Sequence, residues 1–101
     1  MPFVAIGDEK AAVKTNHGCD LVTTSDECSS KVFIGGTGVV LYGHKTAEHS
    51  IESGTSCVAH TVTLSTCSAR VFAEGKGVGR QDDTYSGEDI TSAGQIKVNA
   101  G

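Results

Sequence analysis

The chain has 101 residues, of which 38% are hydrophobic and 5% aromatic, so it can form one small domain with a light core. Its net charge of −4 argues against nucleic acid as a partner, because proteins that bind nucleic acid carry a basic surface. No stretch reaches the roughly 20 apolar residues of a membrane-spanning helix, and the first residues do not resemble a signal peptide.

Three similar units follow one another along the chain, which we treat as a single domain spanning residues 1–101. Each unit closes on a peptide with small residues first, apolar residues in the middle and a final glycine. These peptides are CSSKVFIGG at 28–36, CSARVFAEG at 67–75 and AGQIKVNAG at 93–101. A second set of segments recurs in the same order: PFVAIGD at 2–8, GVVLYGH at 38–44 and GVGRQDD at 77–83. The repeats predict units of about 2–36, 37–75 and 76–101.

Each unit has the pattern of short β-strands joined by glycine turns. Segments 32–34 and 70–73 carry β-branched and aromatic residues between serine and glycine, and segment 96–98 alternates apolar and polar residues. The repeats make three apolar residues equivalent, and we expect them in the core: Phe33, Phe72 and Val98.

One unit is too small to bury a face by itself, so the three units must share a core. The sequence therefore predicts an all-β fold with pseudo-threefold symmetry and at most one helical turn, near residues 8–14. Polar loops rich in glycine and serine separate the strands and contain the histidines. We expect a tapering, conical domain whose loops meet at one pole, the vertex.

Histidine and cysteine are concentrated between residues 44 and 60. This segment contains His44, His49, Cys57 and His60 and offers few apolar residues to bury. Imidazole and thiolate groups bind borderline-soft cations such as zinc, usually four in a tetrahedron. With the remaining histidine, the sequence predicts one metal site near the vertex, formed by His17, His49, Cys57 and His60. Zinc is the expected ion, and iron is the alternative because such sites accept both.

The other cysteines leave alternatives open. Cys28 and Cys67 are equivalent by repeat and align with Ala93, which indicates a small buried position and free thiols. The alternative is a disulfide between the two units. Cys19 follows His17 closely and could replace another ligand. An even number of cysteines also fits a small exported binding domain with two disulfides and incidental histidines.

On these residues the chain resembles the PAAR-repeat proteins, which cap the spikes of contractile tails and of type VI secretion systems. Segments Pro2–Asp8, Gly38–His44 and Gly77–Asp83 occupy the register of that family's P-A-A-R-V-G-D motif. Ser29–Phe33 and Ser68–Phe72 occupy the strand that follows it. The chain departs from the motif in that proline is kept only at Pro2 and arginine only at Arg80, and the third unit lacks histidine and cysteine.

The resemblance implies a small cone with zinc near its vertex, held by three histidines and one cysteine. Its base would sit on a trimeric β-helical spike protein, one copy per trimer, with contacts near Phe3, Val39 and Val78. The tip would touch the target-cell membrane transiently during puncturing. His44 falls where the family has aspartate, so it would shape a turn or support a ligand, although it competes with His49 for the metal.

A tip of this kind catalyses no reaction, so no enzyme activity is expected. A zinc hydrolase would need an open coordination position, which four protein ligands would fill. The expected location is a virion tail or baseplate, or the cytoplasm followed by export at the tip of a secretion spike.

Overall fold

The computed structural model describes residues 2–101, which form ten short strands and no helix. The prediction of an all-β domain is thus confirmed. The strands are β1 (Ala12–Lys14), β2 (Val22–Thr24), β3 (Phe33–Ile34), β4 (Thr37–Gly38), β5 (His49–Ser53), β6 (Ser56–His60), β7 (Phe72–Ala73), β8 (Lys76–Gly77), β9 (Thr84–Tyr85) and β10 (Glu88–Ser92). Within residues 2–101, no helix is long and apolar enough to cross a membrane.

Three extended segments at 4–6, 39–41 and 78–80 form what we call the central ring. Each segment pairs antiparallel with the next, and the last pairs with the first, through Ile6 with Val39, Leu41 with Val78, and Arg80 with Val4. The amide hydrogen bonds follow the same circuit: Ala5 N donates to Gly79 O, Gly79 N to Val40 O, and Val40 N to Ala5 O, at 2.8–2.9 Å. The three short segments therefore hold one another in register.

This register differs by one residue from the one predicted for the first segment. The motif comparison makes Ala5 equivalent to Leu41 of the second unit, whereas the hydrogen bonds make it equivalent to Val40. Neighbouring residues of a strand point to opposite faces, so a slip by one residue would exchange the two faces of the segment. The observed register gives Val4 and Val39 the same environment.

The ring separates two apolar clusters, because alternate residues of each segment face opposite sides. On one side lies the hairpin-side core, formed by Val4, Val39, Leu41, Ala73, Val78 and Ala100, with Ile34 packed against it. On the other lies the loop-side core, formed by Ala5, Ala11, Val13, Val40, Leu64, Tyr85, Ile90 and Ala93. The hairpins β3–β4 and β7–β8 adjoin the first core, and the longer loops adjoin the second.

The hairpins have the same local structure although their surroundings differ. Ser29 Oγ accepts hydrogen bonds from the amides of Lys31 and Val32, and Ser68 Oγ accepts them from those of Arg70 and Val71. Near the C-terminus Gln95 Oε1 does the same for Lys97 and Val98. The longer glutamine side chain thus replaces the serine, and Val98 corresponds to Val32 and Val71 rather than to the phenylalanines.

Two predictions about apolar residues are wrong. Phe33, Phe72 and Val98, all expected in the core, are 55%, 59% and 42% exposed. After each phenylalanine, the next residue of the strand turns to the hairpin-side core instead. Val39 and Val78, expected at a docking surface, are 2% and 3% exposed, because they point into that core. Phe3 is half-buried and packs against the loop-side core.

A four-stranded antiparallel sheet and one hairpin position the histidines. The sheet has the order β2-β1-β10-β9, and Val13 of β1 faces Ile90 of β10 in the loop-side core. The hairpin β5–β6 places His49 opposite His60 at its open end. Residues 15–21, which we call the His17 loop, connect β1 to β2.

Candidate metal centre

His49 and His60 face each other across the hairpin β5–β6. Directly opposed residues of an antiparallel pair project to the same face of the sheet. Their Nε2 atoms lie 2.7 Å apart, and the imidazole rings meet nearly at right angles. The hairpin thus delivers two nitrogen ligands to one point.

Glu88 brings a carboxylate to the same point from β10. It is fully buried and shares a face of its strand with Ile90, so the carboxylate lies at the end of the loop-side core. Its Oε2 lies 2.9 Å from Nε2 of His60 and 3.2 Å from Nε2 of His17. Its Oε1 lies 2.8 Å from Nε2 of His49. His17, His60 and Glu88 form a group able to hold a metal ion, and His49 adjoins them.

The hydrogen-bonding state of His49 indicates that a cation belongs in this cluster. Its Nδ1 lies 2.9 Å from the carbonyl oxygen of Ala47, which can only accept, so Nδ1 carries the hydrogen. In neutral His49 the lone pair of Nε2 then faces the Glu88 carboxylate, which also only accepts. Glu88 Oε1 accepts no hydrogen bond from any of residues 2–101.

Such an arrangement of buried acceptors costs free energy unless a positive charge lies among them. Three imidazoles and a carboxylate are donors that divalent transition metals use in proteins. The residues present therefore fit a metal ion.

Three of the four predicted ligands meet in this cluster, and Cys57 does not. Its sulfur is bonded to that of Cys19, with the two Cα atoms 6.0 Å apart. Cys57 and His60 lie three residues apart on β6, so their side chains project from opposite faces of the strand. A spacing of two residues suits two ligands in a turn, but here both residues lie in β6, whose alternation points their side chains apart.

Sequence reasoning missed Glu88 because it stands in an acidic run with Asp82, Asp83 and Asp89, far along the chain from the histidines. One signal was present. In the sequence Glu88-Asp89-Ile90, strand alternation puts Glu88 on the same face as an apolar residue, and such a carboxylate is buried with a partner.

His44, the competitor of His49, lies in a turn outside the cluster. Its Nδ1 accepts a hydrogen bond of 3.1 Å from the Leu41 amide. At the corresponding place in the last ring segment, Asp83 Oδ2 accepts one of 2.8 Å from the Arg80 amide. His44 therefore performs the turn role that the resemblance implied for it.

The pKa of His44 is lowered, first by burial, which disfavours the charged imidazolium. Among nearby charges, Glu27 and Glu74 raise this pKa and Lys76 lowers it. Protonation of Nδ1 would also remove the acceptor that the Leu41 amide uses.

We expect the variant His44→Asp to be less sensitive to acid than the wild type. Because the pKa of His44 is lower in the folded state, its contribution to stability is complete above about pH 6.5 and is lost as the pH falls towards the folded value. Aspartate can still accept the hydrogen bond there, as Asp83 does. Melting temperatures of both proteins without metal, between about pH 7 and pH 5, should diverge by a few degrees at the acid end. A difference that does not change with pH would contradict this role.

Cys28 and Cys67 are free thiols in the part of the chain that the structure describes, as predicted, and both are half-buried. Burial is the main cause that raises the pKa of Cys67, followed by the charge of Asp83. A raised pKa keeps this thiol protonated and unreactive. The alternative of a disulfide between these two units is therefore not realised.

Neither the models of known protein families nor the curated proteins contain a match to this chain. A function for it has to be inferred from its own residues and their geometry.

Proposed function

We propose that this chain is a non-catalytic spike tip of the PAAR type, which caps a trimeric β-helical spike of a contractile injection machine. In this proposal the domain is a cone of three pseudo-threefold repeats with a metal near its vertex. The observation that carries the proposal is the central ring, in which three segments of one chain repeat a single hydrogen-bond pattern in a closed circuit.

A second circuit of hydrogen bonds has the same cyclic form. Gly7 N donates to Gly38 O, Tyr42 N to Gly77 O, and Gln81 N to Phe3 O. A closed circuit of this kind allows one chain to present three similar faces. A trimer offers three identical faces around its axis, so a pseudo-threefold monomer can match it.

The dimensions of the domain fit a cone standing on such an axis. It measures 41 × 23 × 22 Å, so its two shorter dimensions are nearly equal. The hairpins and the metal cluster adjoin opposite sides of the ring, through the hairpin-side and loop-side cores. The metal would then lie at the end opposite the spike.

The proposed metal joins all three units. His17 comes from the first, His49 and His60 from the second, and Glu88 from the third. A compressive force on the tip would spread these loops, which have little core beneath them. A structural metal can supply on the order of 10 kcal/mol of folding free energy. We infer zinc as the ion, with iron as the alternative, because imidazole suits both.

The base of the cone would be formed by exposed apolar residues of the hairpins and of the C-terminal segment. We call them the base residues: Val32, Phe33, Val71, Phe72 and Val98, all between 40% and 59% exposed. Each of the three units contributes to them. Apolar residues exposed in this number are typical of a protein interface.

The proposed location is a virion tail or baseplate, or the cytoplasm and then the tip of an exported spike, with transient membrane contact. The disulfide between Cys19 and Cys57 fits oxidising conditions outside the cell. In the alternative function, a small exported binding domain, the histidines would have no common role. Their meeting at a buried carboxylate favours the spike tip instead.

Docking can be tested with the terminal β-helical fragment of a trimeric contractile-tail spike. Native mass spectrometry should detect one copy of this chain per spike trimer. The double variant Phe33→Ser, Phe72→Ser should weaken the complex by tenfold or more, since each substitution removes apolar area from the proposed base. The matched control is Leu21→Ser, which removes a 68% exposed apolar side chain from the His17 loop, away from the proposed base.

Equal loss of binding in both proteins would contradict the assignment of the base. A complex with three copies per trimer would contradict the role of the internal repeats.

A further inference from the structure

We propose that the disulfide between Cys19 and Cys57 is a redox latch for the metal centre: the oxidised protein binds the metal more tightly than the reduced protein. The inference rests on the metal role proposed above and adds that the site binds its metal tightly when the disulfide is formed. Once the two sulfurs are bonded, neither thiol is available as a ligand, so the effect has to act through the positions of the histidines.

The disulfide joins two segments that each carry a ligand. Cys19 follows His17 by two residues in the His17 loop, and Cys57 precedes His60 by three residues on β6. The bond lies on the face of β6 opposite to His60, so it braces the hairpin from behind while the imidazole points at Glu88. It is thus a covalent link between the first and second units beside the cluster.

His17 is the ligand that most needs such a link. Its side chain is 40% exposed, compared with 22% for His60 and 3% for His49. His49 and His60 are held by the paired strands of a hairpin and Glu88 by a four-stranded sheet, whereas the His17 loop lies outside the strands.

Within the His17 loop the buried Thr15 bonds to Asp20, Leu21 and His17, but the side-chain hydrogen bonds that join the loop to other segments are exposed. The Asp20 amide donates to Ser50 O at 3.0 Å, and the Ser50 amide donates to Asp20 Oδ2 at 2.7 Å. On the other side, Asn16 Nδ2 donates to Gly87 O at 2.9 Å. Each contact of this kind contributes only about 1 kcal/mol. Without the disulfide the loop gains conformational freedom, and metal binding has to order it again.

The redox step is an ordinary thiol–disulfide exchange. A dithiol reductant attacks the bond, the sulfur–sulfur bond breaks, and Cys19 and Cys57 each end as a thiol. The two electrons and two protons come from the dithiol, which closes to its own disulfide.

Linkage makes the latch reciprocal. If oxidation raises the affinity for the metal by some factor, bound metal stabilises the disulfide against reduction by the same factor. For this two-electron couple, each tenfold change in affinity corresponds to about 30 mV in the reduction potential.

The first measurement is the affinity for zinc, by competition with a chromophoric chelator. The double variant Cys19→Ser, Cys57→Ser should bind zinc at least tenfold more weakly than the oxidised wild type, as is typical when the support of a metal ligand is lost. The matched control is Cys28→Ser, Cys67→Ser, which removes two thiols that are free in the described structure and should leave the affinity unchanged. Circular dichroism verifies that each variant folds.

The second measurement needs no variant. The disulfide of the wild-type protein is titrated in glutathione buffers, with and without saturating zinc. Zinc should lower the reduction potential by at least about 30 mV, which corresponds to the tenfold difference in affinity expected between the oxidised and reduced protein. This holds even if the double variant fails to fold.

The possible results separate the latch from the metal site. Equal zinc affinity in both redox states, with no shift in potential, refutes the latch and leaves the metal centre in place. Tighter binding by the reduced protein also refutes it and assigns the thiols to the metal. No zinc binding in either state refutes the metal centre, and the latch with it.

Discussion

Replacing His60 by alanine is expected to remove the metal from the protein and to lower its melting temperature by about 10 °C or more. His60 contacts two other members of the cluster, since its Nε2 lies 2.7 Å from His49 Nε2 and 2.9 Å from Glu88 Oε2. A structural metal can supply on the order of 10 kcal/mol, and for a domain of this size each 1 kcal/mol corresponds to roughly 4 °C, so losing a quarter of that free energy already lowers the melting temperature by about 10 °C.

The measurements are metal content by inductively coupled plasma mass spectrometry and the melting temperature by calorimetry, on protein purified without a metal-affinity tag. His44→Ala is the matched control: it removes a histidine that holds a turn, and it should keep about one metal per chain. Chelation of the wild-type metal should lower its melting temperature towards that of His60→Ala. Unchanged metal content in His60→Ala would remove this residue from the ligand set.

Glu88→Gln is expected to act in opposite directions on metal binding and on the stability of the metal-free protein. Glutamine has nearly the same shape but no charge, so zinc affinity should fall by roughly a hundredfold or more, beyond the loss typical of residues that only support a ligand. In the metal-free protein, however, the new amide can donate to the lone pair of His49 Nε2, which faces this side chain at 2.8 Å.

The metal-free variant should therefore be more stable than the metal-free wild type, by about 1–3 kcal/mol, the typical cost of a buried polar atom without a partner. Zinc titration and urea unfolding in the presence of a chelator measure the two effects. Glu48→Gln is the control, because it makes the same charge change at an exposed residue next to His49. A Glu88→Gln protein that binds zinc normally would leave Glu88 a purely structural residue.

The sequence was sufficient to predict the class of the fold and to single out three of the side chains that meet in the cluster. Glycine turns and short apolar segments exclude long helices, and the all-β structure confirms this. Residue type singled out all four histidines, because imidazole is the side chain that divalent transition metals commonly bind, and the resemblance set His44 apart from the three that meet at the cluster. These conclusions depend on composition and spacing, which are properties of the chain before it folds.

What only the tertiary structure decided is the side to which each residue points. Cys57 was expected beside His60, but the alternation of β6 turns it to the other face, where Cys19 meets it. Glu88 was not among the predicted ligands, but the order of the sheet turns it inward together with Ile90. For the same reason Phe33, expected in the core, is exposed, and Val39, expected at a docking surface, is buried. A strand has two faces, and the sequence of a short strand does not say which face becomes buried until its neighbours are in place.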